Sequence, residues 1–110
     1  MPSYYQSEDL PRFAEVAEGA PELWAKFQSW YGHVFQDGAL SSREKALIGL
    51  AVATVLQCPY CIEAYTSASL ENGSNLEQMT EALQVAAALR AGATLVHGVQ
   101  MKSVVDKLSM

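Results

Sequence analysis

Between Pro21 and Phe35 the apolar residues Leu23, Trp24, Phe27, Trp30, Tyr31, Val34 and Phe35 recur at three- and four-residue steps. That period gathers them on one helix face, and Pro21 stands where a first turn tolerates a missing N–H. Gln36-Asp37-Gly38 reads as a turn. Ser41-Ser42-Arg43-Glu44 has capping-box spacing, with Ser41 as N-cap and Glu44 reaching back. The helix it starts, about Ser42 to Leu56, is apolar almost all round from Ala46. That predicts a central place in the core or in a subunit interface. From Pro59 a further helix runs to about Glu71, where Asn72-Gly73 is a stop signal. Ser74-Asn75-Leu76-Glu77 reads as a second capping box, opening a helix through Met79, Leu83, Val85, Ala86 and Leu89 that is expected to end near Gly92. The last segment, Ala93 to Leu108, reads as helix interrupted by Gly98. Residues 2 to 18 suit a short helix or an arm packed on a neighbouring subunit, with Tyr4 and Tyr5 apolar enough to dock. Strand signals are weak, and the prolines fall only at positions 2, 11, 21 and 59. The pattern predicts one all-α domain over residues 1–110, a bundle of five to six helices joined by short loops.

Composition narrows the partners. A formal charge of −5, with seven cations scattered along the chain, offers no face for phosphate contacts, so no nucleic-acid partner is expected. The first ten residues have neither the basic start nor the apolar centre of a secretory signal. The longest uncharged stretch, Ala46 to Ile62, is shorter than the ~20 apolar residues of a membrane span, and no membrane association is expected. The default compartment is the reducing cytoplasm. There a lone cysteine pair is more often catalytic or metal-binding than a static staple.

That pair is Cys58-Pro59-Tyr60-Cys61, at the predicted start of a helix. Residues at i and i+3 share a helix face, and the free N–H groups and dipole of a first turn lower a thiol's pKa. A dithiol redox site is the leading reading. Two buried small hydrophobes would be the inert alternative. Structural zinc would need roughly four ligands, and only His33 and His97 remain, 64 residues apart in sequence. No metal is expected. The same tetrapeptide occurs in glutaredoxins, with Val52-Ala53-Thr54-Val55-Leu56 passing for the preceding strand. That scaffold also needs later strands and a cis-proline loop, and no proline follows Pro59.

The run from Ser42 to Ala53, leading into Cys58-Pro59-Tyr60-Cys61-Ile62-Glu63-Ala64-Tyr65, resembles the carboxymuconolactone decarboxylase superfamily, and within it the AhpD-like alkylhydroperoxidase branch. The resemblance extends through Gly73, Glu77, Glu81 and the alanine-rich helix, over roughly residues 21 to 100. Ala20-Pro21-Glu22-Leu23-Trp24, Gly38-Ala39-Leu40, Glu77-Gln78-Met79-Thr80-Glu81-Ala82 and Leu95-Val96-His97-Gly98-Val99-Gln100-Met101 are similar to the peroxidase-like proteins associated with arsenosugar biosynthesis. The resemblance implies an all-helical homotrimer or homohexamer that reduces peroxides with its dithiol. Cys61 would be the peroxidatic thiol and Cys58 the resolving one. Turnover would draw on an external dithiol or protein reductant, with no metal or organic cofactor.

Two positions depart from the family pattern. It places a histidine four residues after the second cysteine, where this chain has Tyr65, and a glutamate twelve residues before the first, where it has Ala46. Those two groups form the family's proton relay. Glu44 is turned about 200° away from position 46 on a helix and reads as a cap. Tyr65, at i+4 from Cys61, is in reach of its sulfur but is a poor base at neutral pH, and is equally read as core. Glu63 points away; Glu77, Glu81 and His97 reach the site only through tertiary packing. His97 is the best titratable candidate by pKa, against a plain reading as a buried histidine or subunit contact. The expected site residues are therefore Cys58 and Cys61, with Tyr65 and His97 as candidate helpers. A dithiol that binds arsenite without peroxidase chemistry is the alternative, since adjacent thiols chelate trivalent arsenic without a base. A decarboxylase of the superfamily's namesake type would not depend on the cysteine pair.

Overall fold

Small side chains on one face of the second α-helix let the other helices close around it. In the computed structural model, which describes residues 6–109, a 3₁₀ helix (Ser7–Gly19) precedes α1 (Pro21–Val34), α2 (Ser42–Leu56), α3 (Pro59–Glu71), α4 (Leu76–Val96) and α5 (Gly98–Leu108). No strand occurs among the described residues, and the stretch that could pass for one lies inside α2. Tyr4 and Tyr5 fall outside the described residues.

Local signals place most helix ends. Ser41 Oγ accepts the Glu44 N–H at 3.1 Å and Glu44 Oε1 accepts the Ser41 N–H at 2.9 Å, so the first capping box forms as read. Those hydrogen bonds hold the Glu44 carboxyl below the usual carboxylate range. It is a cap, as its register predicted. The second box is shifted by one residue, to Asn75 and Gln78, which bond reciprocally at 2.8 and 3.0 Å. The cause lies upstream. Gly73, at φ +91°, closes α3, and the Ser74 N–H is used on the Ser69 carbonyl at 2.9 Å. Ser74 thus completes the end of one helix and leaves the start of the next to Asn75. Gly92 does not end α4, which continues to Val96. A mid-helix glycine costs only about 1 kcal/mol against alanine, and its neighbours Ala91, Ala93 and Thr94 sustain the helix. The chain breaks at His97, just before Gly98.

The core lies along α2. Ala46, Leu50 and Ala53 are buried there, packed against α3 and against α4, which supplies Met79 and Ala86. Gly49 sits on the same side. A β-carbon at this position would lie 2.8 Å from Cδ1 of Tyr65, so α3 approaches α2 this closely only because residue 49 has none. Tyr65 is fixed on its other side by Phe35, with ring centroids 5.1 Å apart and planes 27° apart.

The chain is extended, 60 × 38 × 36 Å, with a radius of gyration of 19.0 Å where about 13 Å is usual for this length. Helical backbone angles at His97 (φ −67°, ψ −16°) nonetheless carry α4 on into α5 as one rod. Leu89, Leu95, Val99, Met101 and Leu108 are each at least 65% exposed along it. By length and composition Leu76–Leu108, α4 and α5 together, is apolar enough to cross a membrane. The central helix shares this two-sidedness, since Ile48, Val52 and Leu56 face outward.

Gly49→Ala should destabilise the fold by about 1–3 kcal/mol despite alanine's better helix propensity, because the Tyr65 ring is backed by Phe35 and has no room to yield. Thermal denaturation checks this; an unchanged or raised midpoint would contradict the packing described.

Candidate functional site

The turn between α2 and α3 sets the position of the cysteines. Gln57 adopts a left-handed conformation (φ 57°, ψ 43°), its N–H bonds the Thr54 carbonyl, and the Cys58 N–H bonds the Ala53 carbonyl at 3.1 Å. This Schellman closure ends α2 and delivers Cys58 directly as the N-cap of α3. Pro59 occupies the first helical position, where no N–H is missed. Cys58 and Cys61 are joined as a disulfide, with Cα atoms 5.2 Å apart, inside the ordinary range for such bonds. The Cys61 N–H donates to Cys58 Sγ at 3.2 Å. Cys58 therefore takes the role that a serine or aspartate oxygen fills at other helix starts.

The pair opens into a cleft of about 720 Å³ between the 3₁₀ helix, α1 and α3. Phe27 and Tyr31 come from α1, and Ala64 and Tyr65 from α3. The 3₁₀ helix gives Leu10, Phe13 and Val16, with Asp9, Arg12 and Glu15. Phe13 anchors the segment, standing edge-on to Trp24 at 4.9 Å and to Phe27 at 6.2 Å. The Tyr60 hydroxyl donates to Asp9 Oδ2 at 3.4 Å, tying the middle of the cysteine motif to the same segment. Arg12 pairs with Glu15 at 2.8 Å and with Asp9 at 3.3 Å. The hydrogen bond from Arg12 holds the Glu15 carboxyl below its ordinary range, and Glu15 in turn raises the guanidinium's pKa.

The structure brings Cys58, Cys61 and Tyr65 to one cleft and leaves His97 apart, exposed at the α4–α5 break. Glu63, Glu77 and Glu81 are exposed and outside the cleft wall. Ala46 and Tyr65 both line a smaller cavity of about 300 Å³ with Tyr31, Phe35 and Ala68. The two positions that depart from the family pattern are thus spatial neighbours, and the space between them is largely apolar. Among the described residues no three His, Cys, Asp or Glu side chains gather as a metal-ligand group. Sequence reasoning missed the cleft wall formed by the 3₁₀ helix. Its only signal was the spacing of Leu10, Phe13 and Val16, which marks an apolar face without saying what it covers.

Known proteins share this fold. Residues 11–101 match the model of the carboxymuconolactone decarboxylase family. An uncharacterised protein 4 in the cox locus of Paracoccus denitrificans is 47% identical over 75 residues, 68% of each chain. An uncharacterised protein of Cupriavidus necator is 26% identical over 98 residues, covering 89% of this chain and 87% of its own length. A crystal structure from Methanobacterium thermoautotrophicum superposes with a TM-score of 0.74 at 30% identity, over 78% of this chain and 97% of that one.

After reduction, Cys58 should be the more acidic thiol, since its sulfur receives the Cys61 N–H at the positive end of α3. Thiolate absorbance titrated against pH should show a pKa below the usual ~8.5 that persists in Cys61→Ser and is lost in Cys58→Ser. The opposite pattern would assign the acidic thiol to Cys61.

Proposed function

Because the chain belongs to the carboxymuconolactone decarboxylase family, we propose that it acts as a dithiol oxidoreductase, cycling Cys58 and Cys61 as it reduces a peroxide. The observation that carries this reading is the pair itself, joined at a helix start on the wall of an open cleft. In the reduced protein the Cys58 thiolate attacks a peroxide oxygen. The O–O bond breaks, the leaving alkoxide takes up a proton, and Cys58 becomes a sulfenic acid. Cys61 then attacks that sulfur, hydroxide departs and is protonated to water, and the disulfide closes. An external dithiol or protein reductant returns two electrons and two protons. No metal or organic cofactor enters the cycle.

The family resemblance assigns the attack to Cys61, served by a glutamate–histidine relay. Here those positions are Ala46 and Tyr65, and the stabilising hydrogen bond falls on Cys58, which supports the reverse order. Tyr65 can orient substrate or a leaving oxygen, but at neutral pH it is not a base. Capture of arsenite by the same two thiols is the competing reading, favoured by the missing relay, because chelation needs no general base.

We propose further that the protein is a homo-oligomer, a trimer or hexamer, whose subunits cover the bare side of the α4–α5 rod. Glu77, Glu81, Arg90, Lys102, Asp106 and Lys107 are spaced along that rod, which argues against a lipid environment for it. A reducing, cytoplasmic setting suits the dithiol cycle. Light scattering in solution should give a mass of three or six chains; a monomer would refute this assembly.

Peroxide consumption driven by dithiothreitol should be cysteine-dependent, with Cys58→Ser and Cys61→Ser each losing it by at least 100-fold. The double variant Ala46→Glu/Tyr65→His should raise the rate at least tenfold, since a positioned base contributes typically ~10²–10⁴-fold. Native protein without cysteine-dependent turnover, but shifted in mass by one arsenic, would replace the peroxidase reading with the binding one.

A further inference from the structure

The cleft beside the cysteines is far larger than its chemistry requires. At about 720 Å³ it holds roughly twenty times the ~30 Å³ that a water molecule occupies in the liquid, and it falls in the range of organic-ligand sites. Its apolar side is aromatic, with Phe13, Phe27, Tyr31 and Tyr65 around the sulfurs. Phe13 is half exposed (49%) although its ring is held edge-on by Trp24 and Phe27, so one side of it remains open to an occupant.

Charge in the cleft is one-sided. Among the described residues that line it, Asp9 and Glu15 are anionic and Arg12 is the only cation. Arg12 is committed, with Nε and Nη2 on the two Glu15 oxygens at 2.8 and 3.0 Å and Nη1 on Asp9 at 3.3 Å. Among the described residues, an incoming carboxylate would find no free cation on this wall. The whole 3₁₀ helix adds Glu8 and Glu18, which gives it four acids against one base. The segment is thus an aromatic surface edged with negative potential, set directly against the dithiol.

Resting on the dithiol reading above, we propose that the 3₁₀ helix is the specificity wall of this site. Phe13, with Leu10 and Val16, seats the apolar body of an uncharged aromatic substrate over the sulfurs, and the Asp9–Arg12–Glu15 cluster turns anionic substrates away. Phe13 is a binding residue for that body and takes no part in proton or electron transfer.

Two readouts test this. The first is turnover-independent, the binding of 2-phenyl-2-propanol and of 4-(2-hydroxypropan-2-yl)benzoate to the oxidised native chain, which cannot react with either. The alcohol should bind at least tenfold more tightly than its carboxylate analogue at low salt, and the gap should shrink as salt screens the wall. Phe13→Ala should weaken the alcohol about fivefold. Asp9→Asn/Glu15→Gln, which frees Arg12 and keeps an acceptor for Tyr60, should improve benzoate binding at least threefold. The second readout is the ratio of kcat/KM for cumene hydroperoxide to that for hydrogen peroxide, which should fall about tenfold in Phe13→Ala. Equal affinity for the two probes, or indifference of both readouts to Phe13 and the acids in an active enzyme, would overturn this inference and leave the dithiol reading intact. Selective probe binding in a chain without cysteine-dependent turnover would overturn the dithiol reading and keep the wall.

Discussion

The close approach of α3 to α2 is the constraint on which the rest of the site depends. It is made possible by what α2 lacks, a side chain at Gly49 and bulk at Ala46 and Ala53. With those positions small, Tyr65 lies flat between α2 and Phe35, and α3 is held with its first turn facing the 3₁₀ helix. A β-carbon at Gly49 would press on the Tyr65 ring and displace the helix that carries the thiols. Dispersion contacts of this kind are individually weak, but many of them along one face fix a helix's position to fractions of an ångström.

The sequence made legible whatever was decided within a few residues. The Ser41–Glu44 box, the Pro21 and Pro59 helix starts and the Gly73 stop are local bargains between side chains and unpaired backbone groups, and they stand where they were read. The start of α4 was misread by one residue for an equally local reason that spacing does not encode. Ser74 had its N–H engaged by the preceding helix, so the capping role passed to Asn75. Gly92 shows the other limit, because a helix ends when its backbone finds a better partner, and a single glycine does not provide one.

The site divides along the same line. Cys58 and Cys61 were legible because i and i+3 at a helix start is a local geometry. That positions 46 and 65 meet in one small cavity is a fact of α2–α3 packing, which the departures from the family pattern flagged without locating. The aromatic wall opposite was not legible. Phe13 meets Trp24 and Phe27 across a chain reversal, and the Asp9–Tyr60 hydrogen bond spans 51 residues. Contacts of that range leave only an amphipathic spacing in the sequence. Likewise the outer faces of α2, α4 and α5 are apolar, so that among the described residues few large side chains are buried.

The left-handed Gln57 carries a consequence for tempo. A non-glycine residue in that region costs about 1–2 kcal/mol, and it is retained here with both Schellman hydrogen bonds in place. The backbone between the end of α2 and the first turn of α3 is therefore held by hydrogen bonds that involve neither sulfur. The structural part of opening or closing the bridge is then a rotation of two short side chains, where many enzymes wait microseconds or longer for a loop. A scaffold with this arrangement has no slow structural clock at its centre. For the cycle proposed above, the pace then passes to the sulfur chemistry itself and to arrivals and departures at the cleft.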